Sequence, residues 1–395
     1  MKNEKIVLFV LALVQFTNIM DFMIMMPLNP ILSKLFTLNP KQFGILVSSY
    51  TLMAGISGFA SAFFADRFDR KQLLLLMYAG FTLGTFACAL ASSYELLLLA
   101  RGFTGIFGGV LGATVLSIVG DAIPAERRGA AMGIVMSAFA LASVFGVPFG
   151  LFIANKFTWS APFMFLAILG VFTTFMIFFL IPSFDKHLKN VEKNINPMQV
   201  LLTIFGDAKL RTALSLTFIV VLSQFCIIPF FSDYMVANVG FSQAQLPLIY
   251  LTGGIASIFT SPLVGRMADK FGKLQIFIIF AILLIIPVAI ITNLSTTTLF
   301  VALCISVFFF ICNGGRLVPA MTMTTSAAPT QTRGSFMSIN SSIQNLSSAL
   351  AAYIGGLIIY KNEMGVIFNY NYVGYLAITL NILAIFVAIK LQKTK

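Results

Sequence analysis

The chain has 395 residues, of which 59% are hydrophobic and only 10% are charged. A chain of this length cannot bury so much apolar surface in a water-exposed core, so we predict an all-α integral membrane protein. The net charge of +12 would favour a nucleic-acid partner in a water-soluble protein. In a membrane protein, lysine and arginine set the orientation instead, so we expect the lipid bilayer as a partner and no nucleic acid.

Apolar runs long enough to cross a hydrocarbon core of about 30 Å follow one another along the chain. They predict twelve transmembrane helices, near residues 6–35, 42–65, 72–92, 95–120, 128–154, 160–182, 211–236, 243–268, 273–292, 297–325, 334–360 and 370–390. The first run is too long for a signal peptide and predicts an uncleaved span. With this alternation, 19 lysines and arginines fall on one side and four on the other. This bias predicts a multi-pass protein of the plasma membrane or bacterial inner membrane, with both termini cytoplasmic.

The second half of the chain repeats the first. One match pairs PAERRGAAMGI at 124–134 with PTQTRGSFMSI at 329–339, and another pairs ADRFDRK at 65–71 with ADKFGKL at 268–274. Ordered matches of this kind predict two pseudo-symmetric six-helix bundles. The longest polar segment lies between the halves. We therefore predict an N-terminal bundle at 1–182, a cytoplasmic linker at 183–208 and a C-terminal bundle at 209–395.

Three ionisable residues stand clearly inside predicted spans: Asp21, Arg101 and Arg316. A charge in hydrocarbon is unfavourable, so such residues are functional candidates. At about 1.5 Å per residue, Asp21 and Arg101 lie at similar depths and are able to pair. The pair either only orients two helices, or it is a proton-coupling site in which Arg101 tunes the proton affinity of Asp21. Arg316 either faces a cavity or snorkels to the cytoplasmic interface.

Polar residues in the spans are candidates for contact with a substrate. Gln15, Asn18 and Asp21 follow one stripe of the first helix, which is typical of a face turned to a cavity or a bundle interior. The full set of cavity candidates is Gln15, Asn18, Gln224, Arg316, Gln344 and Asn345. Hydrogen bonds between helices explain the amides on the later helices equally well. Arg101 also begins a face with Gly105, Gly108 and Gly112, which we interpret as a packing face.

Cysteine and histidine usage predicts neither a metal site nor a cofactor. The four cysteines lie in apolar runs without metal-binding spacing and are interpreted as small packing residues. The one histidine, His187, falls in the polar linker and is interpreted as a solvated residue.

Charged residues cluster in the turns after the second and eighth spans and beside the fifth and eleventh. We interpret them as a cytoplasmic latch, with Asp66 near the eleventh helix and Asp121 paired with Arg70 or Arg128. Topology alone does not explain the acidic residues, which contribute little to orientation. Asp69 stands where the repeat has Gly272, so we expect strain there if the turn needs a positive φ. The latch set is Asp66, Arg67, Arg70, Asp121, Arg128, Asp269, Lys270, Lys273 and Arg333.

Several motifs occur in a fixed order along the whole chain. The first helix carries MDFMIMMPL at 20–28, the fourth LLLARGFTGIFGG at 97–109, and the fifth GVPFG at 146–150, with WSAPF following at 159–163. The two turn copies carry ADRFDRK and ADKFGKL. In this order the motifs resemble those of the major facilitator superfamily, and within it the twelve-span drug/proton antiporter group in its sugar-efflux and arabinose-efflux-like branch. The chain departs from the family pattern at Ala62 and Asp69, where glycines are usual, and at Ser160, which replaces an arginine.

The resemblance implies a secondary active transporter that exports a small, partly hydrophobic compound, such as a drug or a sugar-like metabolite, in exchange for protons. It implies that Asp21 and Arg101 take part in proton coupling, and that Gly146, Pro148 and Gly150 form the antiporter motif, which favours efflux. Proton-coupled uptake of a sugar or organic anion is the alternative, favoured if Arg316 faces the cavity. We expect a monomer. A membrane enzyme lacks support, because the sequence shows no nucleophile–base grouping, metal cluster or P-loop. A non-transporting sensor on the same fold is a further rival.

Overall fold

The computed structural model describes residues 4–124, 127–184, 197–329 and 333–393. Within these ranges the long apolar runs form helices. Their bounds are α1 Glu4–Ile24, α2 Asn29–Leu35, α3 Pro40–Phe64, α4 Arg70–Leu90, α5 Tyr94–Ala122, α6 Arg128–Leu141, α7 Val147–Lys156, α8 Ala161–Leu180, α9 Pro197–Gly206, α10 Ala208–Ala237, α11 Leu246–Phe271, α12 Lys273–Thr292, α13 Leu299–Ala327, α14 Arg333–Ile358 and α15 Tyr370–Lys393. Two short antiparallel strands, β1 Tyr360–Lys361 and β2 Ile367–Phe368, form a hairpin between α14 and α15.

Eleven helices in the described ranges are long and apolar enough to cross a membrane, judged by length and composition alone. They correspond to eleven of the twelve predicted spans, with α6 and α7 joined as one. The remaining predicted span is α14, a helix of 26 residues. Its serines and the amides Asn340, Gln344 and Asn345 lower its hydropathy below that of the others. The all-α prediction is confirmed.

Several helix ends follow from capping residues. Ser93 precedes α5 and accepts a hydrogen bond from the backbone N–H of Leu96 at 3.3 Å. Asp207 precedes α10 and accepts from Lys209 N–H at 2.7 Å. These oxygens satisfy backbone N–H groups that have no partner inside the helix. Between α11 and α12, Gly272 adopts a φ of 98°, which glycine tolerates better than other residues.

The chain forms two compact units. The first comprises Met1–Met25 and Ser49–Pro197, and the second comprises Met26–Ser48 and Met198–Lys395. Residues 26–48 belong to the second unit because they bind it directly: Asn29 Nδ2 donates to Pro229 O at 3.0 Å and Ser48 Oγ donates to Ala349 O at 2.7 Å. The sequence did not predict this placement. The predicted division at 183–208 stays a prediction, and residues 185–196 lie outside the described ranges.

Each unit has its own apolar core. In the first unit, α1, α4, α5 and α8 contribute Val14, Tyr78, Leu111 and Ile177 to one buried cluster. In the second unit, α10, α12, α14 and α15 contribute Leu214, Phe277, Phe336 and Ala388. The helices are therefore held together within each unit by close-packed side chains.

Many large apolar side chains lie outside these cores. Leu99, Phe179, Phe259 and Phe300 are at least 70% exposed. An apolar surface of this extent is unfavourable in water but suits contact with lipid acyl chains.

Candidate functional site

Asp21 and Arg101 form an ion pair inside the first unit. Asp21 lies near the end of α1, and Arg101 lies in the first half of α5. Arg101 Nη1 is 2.6 Å from Asp21 Oδ2, and the two side chains are 1% and 0% exposed for arginine and aspartate respectively. The structure thus brings together the two residues that were matched by depth. Breaking a buried ion pair costs about 3–5 kcal/mol, because one charge is left without a partner.

Neutral groups complete the surroundings of this pair. Thr85 Oγ1 on α4 donates to Asp21 Oδ1 at 3.1 Å, and the ring centroid of Tyr50 on α3 lies 4.4 Å from the Arg101 guanidinium carbon. Sequence reasoning missed both residues, because a threonine and a tyrosine in apolar runs carry no charge or spacing signal. Asn18 accepts from Tyr50 Oη at 2.9 Å. Gln15 is half-buried, and its Oε1 has no hydrogen-bond partner among the described residues.

The GVPFG motif packs against α1 beside Asp21. A Cβ at Gly146 would lie 3.1 Å from Met20 Sδ, and one at Gly150 would lie 2.6 Å from Ile24 Cδ1. Both glycines therefore allow close approach of the two helices. Residues Ala142–Gly146 form a π-helical turn between α6 and α7. This wider turn precedes Pro148, which lacks a backbone N–H and is poorly tolerated in a regular α-helix.

Arg316 lies in the interior of the second unit. It is 0% exposed, and its guanidinium donates to Asn381 Oδ1 at 2.8 Å, to Asn313 Oδ1 at 3.2 Å and to two acceptors on α10, Val220 O and Ser223 Oγ, both at 3.3 Å. A snorkelling position is therefore wrong, since the head group reaches α10 and α15 within the unit. Among the described residues, no carboxylate is paired with it.

The other cavity candidates of the second unit are half-buried amides. They are Gln224 on α10 and Gln344 and Asn345 on α14. Their role in binding a substrate stays a prediction. Asn340, one turn before Gln344, is buried, and its Oδ1 has no partner among the described residues.

An ion pair lies at the first predicted latch turn. Arg70 Nε lies 3.6 Å from Asp121 Oδ2, so the structure joins the start of α4 to the end of α5. Arg67 is exposed. The side chain of Asp66, which was expected near the eleventh helix, lies outside the described residues. The latch role of this turn stays a prediction.

Asp69 differs from the expectation drawn from the repeat. Its φ is −56°, so the expected strain of a positive φ is wrong. It caps α4 by accepting from Lys71 N–H at 2.8 Å, and it also accepts from Phe184 N–H at 3.1 Å and from Ser183 Oγ. Burial disfavours the charged form of Asp69, but the hydrogen bonds from Ser183, Phe184, Lys71 and Gln72 outweigh burial and lower its pKa.

The second turn copy is more open. Asp269 and Lys270 are exposed, and Lys273 Nζ donates to Ser326 Oγ at 3.1 Å. Only this copy uses the positive φ, at Gly272. The two copies are thus alike in sequence but differ in the way the helix after the turn begins.

A second part of the repeat does make the same contact twice. Arg128 Nε donates to Ile123 O at 2.9 Å in the first unit. Arg333 Nη2 donates to Ala328 O at 3.4 Å in the second. In each case an arginine at the start of a helix binds the carbonyl five residues before it, at the end of the preceding helix. Arg127, beside Arg128, pairs with Glu4 through Nη1 and Oε2 at 2.9 Å.

Asp233 is an ionisable residue inside a predicted span that sequence reasoning missed. It is 5% exposed near the end of α10, and Lys361 Nζ lies 3.0 Å from each of its carboxylate oxygens. The signal was present, since Asp233 falls within the predicted seventh span at 211–236. The pair joins α10 to the hairpin strand β1. Buried ionisable residues within the long apolar helices of the described ranges therefore include Asp233 as well as the three predicted.

The cysteines agree only in part with their interpretation as packing residues. Cys88, Cys226 and Cys312 are buried, but Cys304 is exposed on α13, so packing does not explain it. His187 lies outside the described residues.

Comparison with known sequences gives a match over almost the whole chain. A family model described as Major Facilitator Superfamily matches residues 11–216 and 213–395. The protein AraJ of Escherichia coli (strain K12) is 25% identical over 344 residues, which is 83% of this chain and 80% of AraJ.

Solved structures share the fold at low sequence identity. A bacterial homologue of the human lysosomal transporter Spinster, in an inward-facing and unoccupied conformation, superposes with a TM-score of 0.79 at 16% identity, covering 98% of this chain and 96% of that chain. A D-xylose–proton symporter gives a TM-score of 0.79 at 16% identity, covering 98% and 97%. At this identity the likeness shows the fold.

Proposed function

The chain belongs to the Major Facilitator Superfamily, a family of membrane transporters, and from this premise we propose that it exports a small, partly hydrophobic compound in exchange for protons. Transport proceeds by alternating access between two bundles. The GVPFG motif, which packs against α1 beside Asp21, supports the outward direction. The drug or sugar-like class of the substrate is supported by the resemblance of the motifs to the efflux branch of the family.

The observation that carries the proton-coupling proposal is the buried pair of Asp21 and Arg101. The Asp21 carboxylate is 0% exposed and lies 2.6 Å from the Arg101 guanidinium, and Thr85 donates a hydrogen bond to its other oxygen. If the Arg101 guanidinium moves toward or away from the Asp21 carboxylate during the transport cycle, the affinity of Asp21 for a proton changes. Asp21 then binds a proton on one side of the membrane and releases it on the other.

The structural alternative is that the pair only fixes α1 against α5. A structural pair would lower stability when broken but would not couple transport to a pH gradient. The two roles therefore predict different results for a variant that keeps a hydrogen-bonding oxygen but cannot ionise.

We predict that Asp21→Asn abolishes pH-driven transport while the protein still folds, because asparagine accepts a hydrogen bond from Arg101 but does not bind a proton. Purified protein in liposomes, under an imposed pH gradient, would be screened for movement of both substrate and protons. Asp21→Glu keeps an ionisable group and should retain part of the coupling. The matched control is Glu4→Gln, which removes a carboxylate from the same helix where it pairs with Arg127.

Undiminished proton-coupled transport by Asp21→Asn would remove the proton role of Asp21. The same assay gives the direction, since substrate and protons move oppositely in antiport and together in symport. Movement together would support the alternative of proton-coupled uptake of a sugar or organic anion. The latch role of the charged turns, including Asp66, Arg70 and Asp121, belongs to the same alternating-access proposal.

A further inference from the structure

Tyr50 lies directly on the guanidinium of the buried pair. Its ring centroid is 4.4 Å from Arg101 Cζ, and Tyr50 is 4% exposed. A cation over an aromatic face is attracted by the ring quadrupole, and the attraction grows when water is excluded. Arg101 is thus held by a carboxylate on α1 and an aromatic ring on α3.

The ring is fixed in this position by its own contacts. Tyr50 Oη donates to Asn18 Oδ1 at 2.9 Å, and Asn18 Nδ2 donates to Gly108 O at 3.4 Å. Phe22 stacks on Tyr50 with ring centroids 5.7 Å apart. Gly105 and Gly108 leave room for Tyr50, because a Cβ on either residue would collide with its backbone or its hydroxyl. Two residues of the predicted glycine face, Gly105 and Gly108, therefore leave the space that Tyr50 occupies.

The remaining polar surroundings of Arg101 are sparse. Its Nη1 donates to Asp21 Oδ2 and, at 3.4 Å, to Asp21 O, while its Nε has no partner among the described residues. The ionisable groups that face the pair are Tyr50 from α3 and Cys88 from α4. The segments packed against α1 from residue 128 to residue 180 carry ionisable side chains only near their ends, at Arg128 and Lys156.

Protonation of Asp21 would remove the only anion paired with Arg101 in the described residues. A buried cation without a partner is strongly unfavourable. The ring of Tyr50 is then the main group left to stabilise it. The ring and the carboxylate act on the same guanidinium, so the ring matters more when the carboxylate is neutral.

We propose that Tyr50 is a positioning residue that sets the pH at which the site loads its proton, by stabilising Arg101 while Asp21 is neutral. The inference rests on the proposed proton coupling through Asp21 and adds to it a residue that does not itself exchange the proton.

The test compares Tyr50→Leu with Tyr50→Phe in liposomes, by measuring the pH at which proton-coupled transport is half-maximal. Tyr50→Leu removes the aromatic face, and the midpoint should move to lower pH by about one unit, which is a tenfold change in proton concentration. Tyr50→Phe keeps the face and loses only the bond to Asn18, so its midpoint should stay within about 0.3 units of wild type, in line with the aromatic face carrying the effect.

Tyr78 supplies matched controls. It is also buried in the first unit, with its hydroxyl 2.8 Å from Thr17 Oγ1 on α1, but it makes no described contact with Asp21 or Arg101. Tyr78→Leu should lower the unfolding temperature as Tyr50→Leu does, yet leave the pH midpoint unchanged. This separates a general loss of packing from a change at the pair.

An unchanged or raised midpoint in Tyr50→Leu would overturn the inference, as would equal shifts in Tyr50→Leu and Tyr78→Leu. Failure of the proposed function looks different: Asp21→Asn would then retain its coupling. If Asp21→Asn loses coupling and Tyr50→Leu has the wild-type midpoint, only the role of Tyr50 is rejected.

Discussion

At the scale of the residue, Asp69 connects two segments of the first unit that are far apart in the chain, because its carboxylate accepts hydrogen bonds from both. It caps α4, and its carboxylate also binds Ser183 and the backbone of Phe184, just after α8. Because folding lowers its pKa, the ionised carboxylate contributes stability above its unfolded pKa of about 3.9. That contribution is lost as the pH falls through the lower folded value.

We predict that Asp69→Ala lowers the free energy of unfolding by about 1–2 kcal/mol at pH 7, as expected for a lost N-cap. The difference from wild type should shrink below about pH 4, where the carboxylate becomes protonated. Thermal unfolding of the detergent-solubilised protein across pH would measure both effects.

The control for this prediction is Asp207→Ala. The Asp207 side chain caps α10 by accepting from Lys209 N–H and Leu210 N–H, and it makes no described hydrogen bond to another helix. Asp69→Ala should therefore be the more destabilising change. Equal losses for the two variants would show that the contacts with Ser183 and Phe184 contribute nothing measurable.

At the scale of the element, α5 owes its close approach to α3 to particular glycines. A Cβ at Gly109 would collide with the backbone of Ala54, whereas a Cβ at Gly112 would meet nothing within 4 Å. The sequence predicted one packing face at Arg101, Gly105, Gly108 and Gly112. The structure keeps Gly105 and Gly108 in contact with α3 but leaves Gly112 open, because the contact surface of α3 covers only part of that face.

We predict that Gly109→Ala destabilises the protein by about 1–3 kcal/mol, the usual range for an overpacked contact. Gly112→Ala should be neutral or stabilising by up to about 1 kcal/mol, because alanine favours the helix. Both would be measured by unfolding in the same detergent. Similar effects of the two substitutions would contradict the observed packing of α3 on α5.

At the scale of the whole molecule, the number of membrane crossings decides the topology. The helix α14 has the length of a span but is less apolar than the other eleven. Its buried face holds polar residues such as Asn340 and Ser347, which lie against other helices. A span that is partly shielded from lipid needs fewer apolar residues, so we propose that α14 crosses the membrane. With twelve crossings both termini lie on the same side, and the bias of lysine and arginine favours the cytoplasmic side.

We predict that reporters fused at the two termini lie on the same side of the membrane, because an even number of crossings returns the chain to its starting side. A reporter inserted at Gly365, after α14, should lie on the outside, whereas one inserted at Ala328, before α14, should lie on the inside. Alkaline phosphatase and fluorescent-protein fusions would distinguish the two sides. Finding Gly365 and Ala328 on the same side would mean that α14 does not cross.

Arg128 and Arg333 show that the two halves of the chain share contacts as well as sequence at some aligned positions. The aligned arginines bind carbonyls at matching positions, as their aligned sequences suggest. The two aligned turns are less similar in structure. Asp69 accepts hydrogen bonds from the segment after α8, whereas Gly272 precedes α12 with a positive φ. A repeat in sequence thus predicts helices well and turns less well, since a turn also depends on what packs against it.

The sequence by itself determined the class of protein, the helices and the family. These depend on the length of apolar runs, on charge between them and on motif order, all of which are local or additive along the chain. It also predicted that Asp21 and Arg101 are able to pair, because few oppositely charged residues lie at the same depth within the spans.

Only the tertiary structure showed which neutral or distant groups contact the buried charged residues. Tyr50 on Arg101, Lys361 on Asp233 and Asn381 on Arg316 come from other helices or a hairpin. Helical periodicity tells which face a residue occupies but not which neighbour lies opposite that face, because the neighbour is set by the packing of helices far apart in the chain.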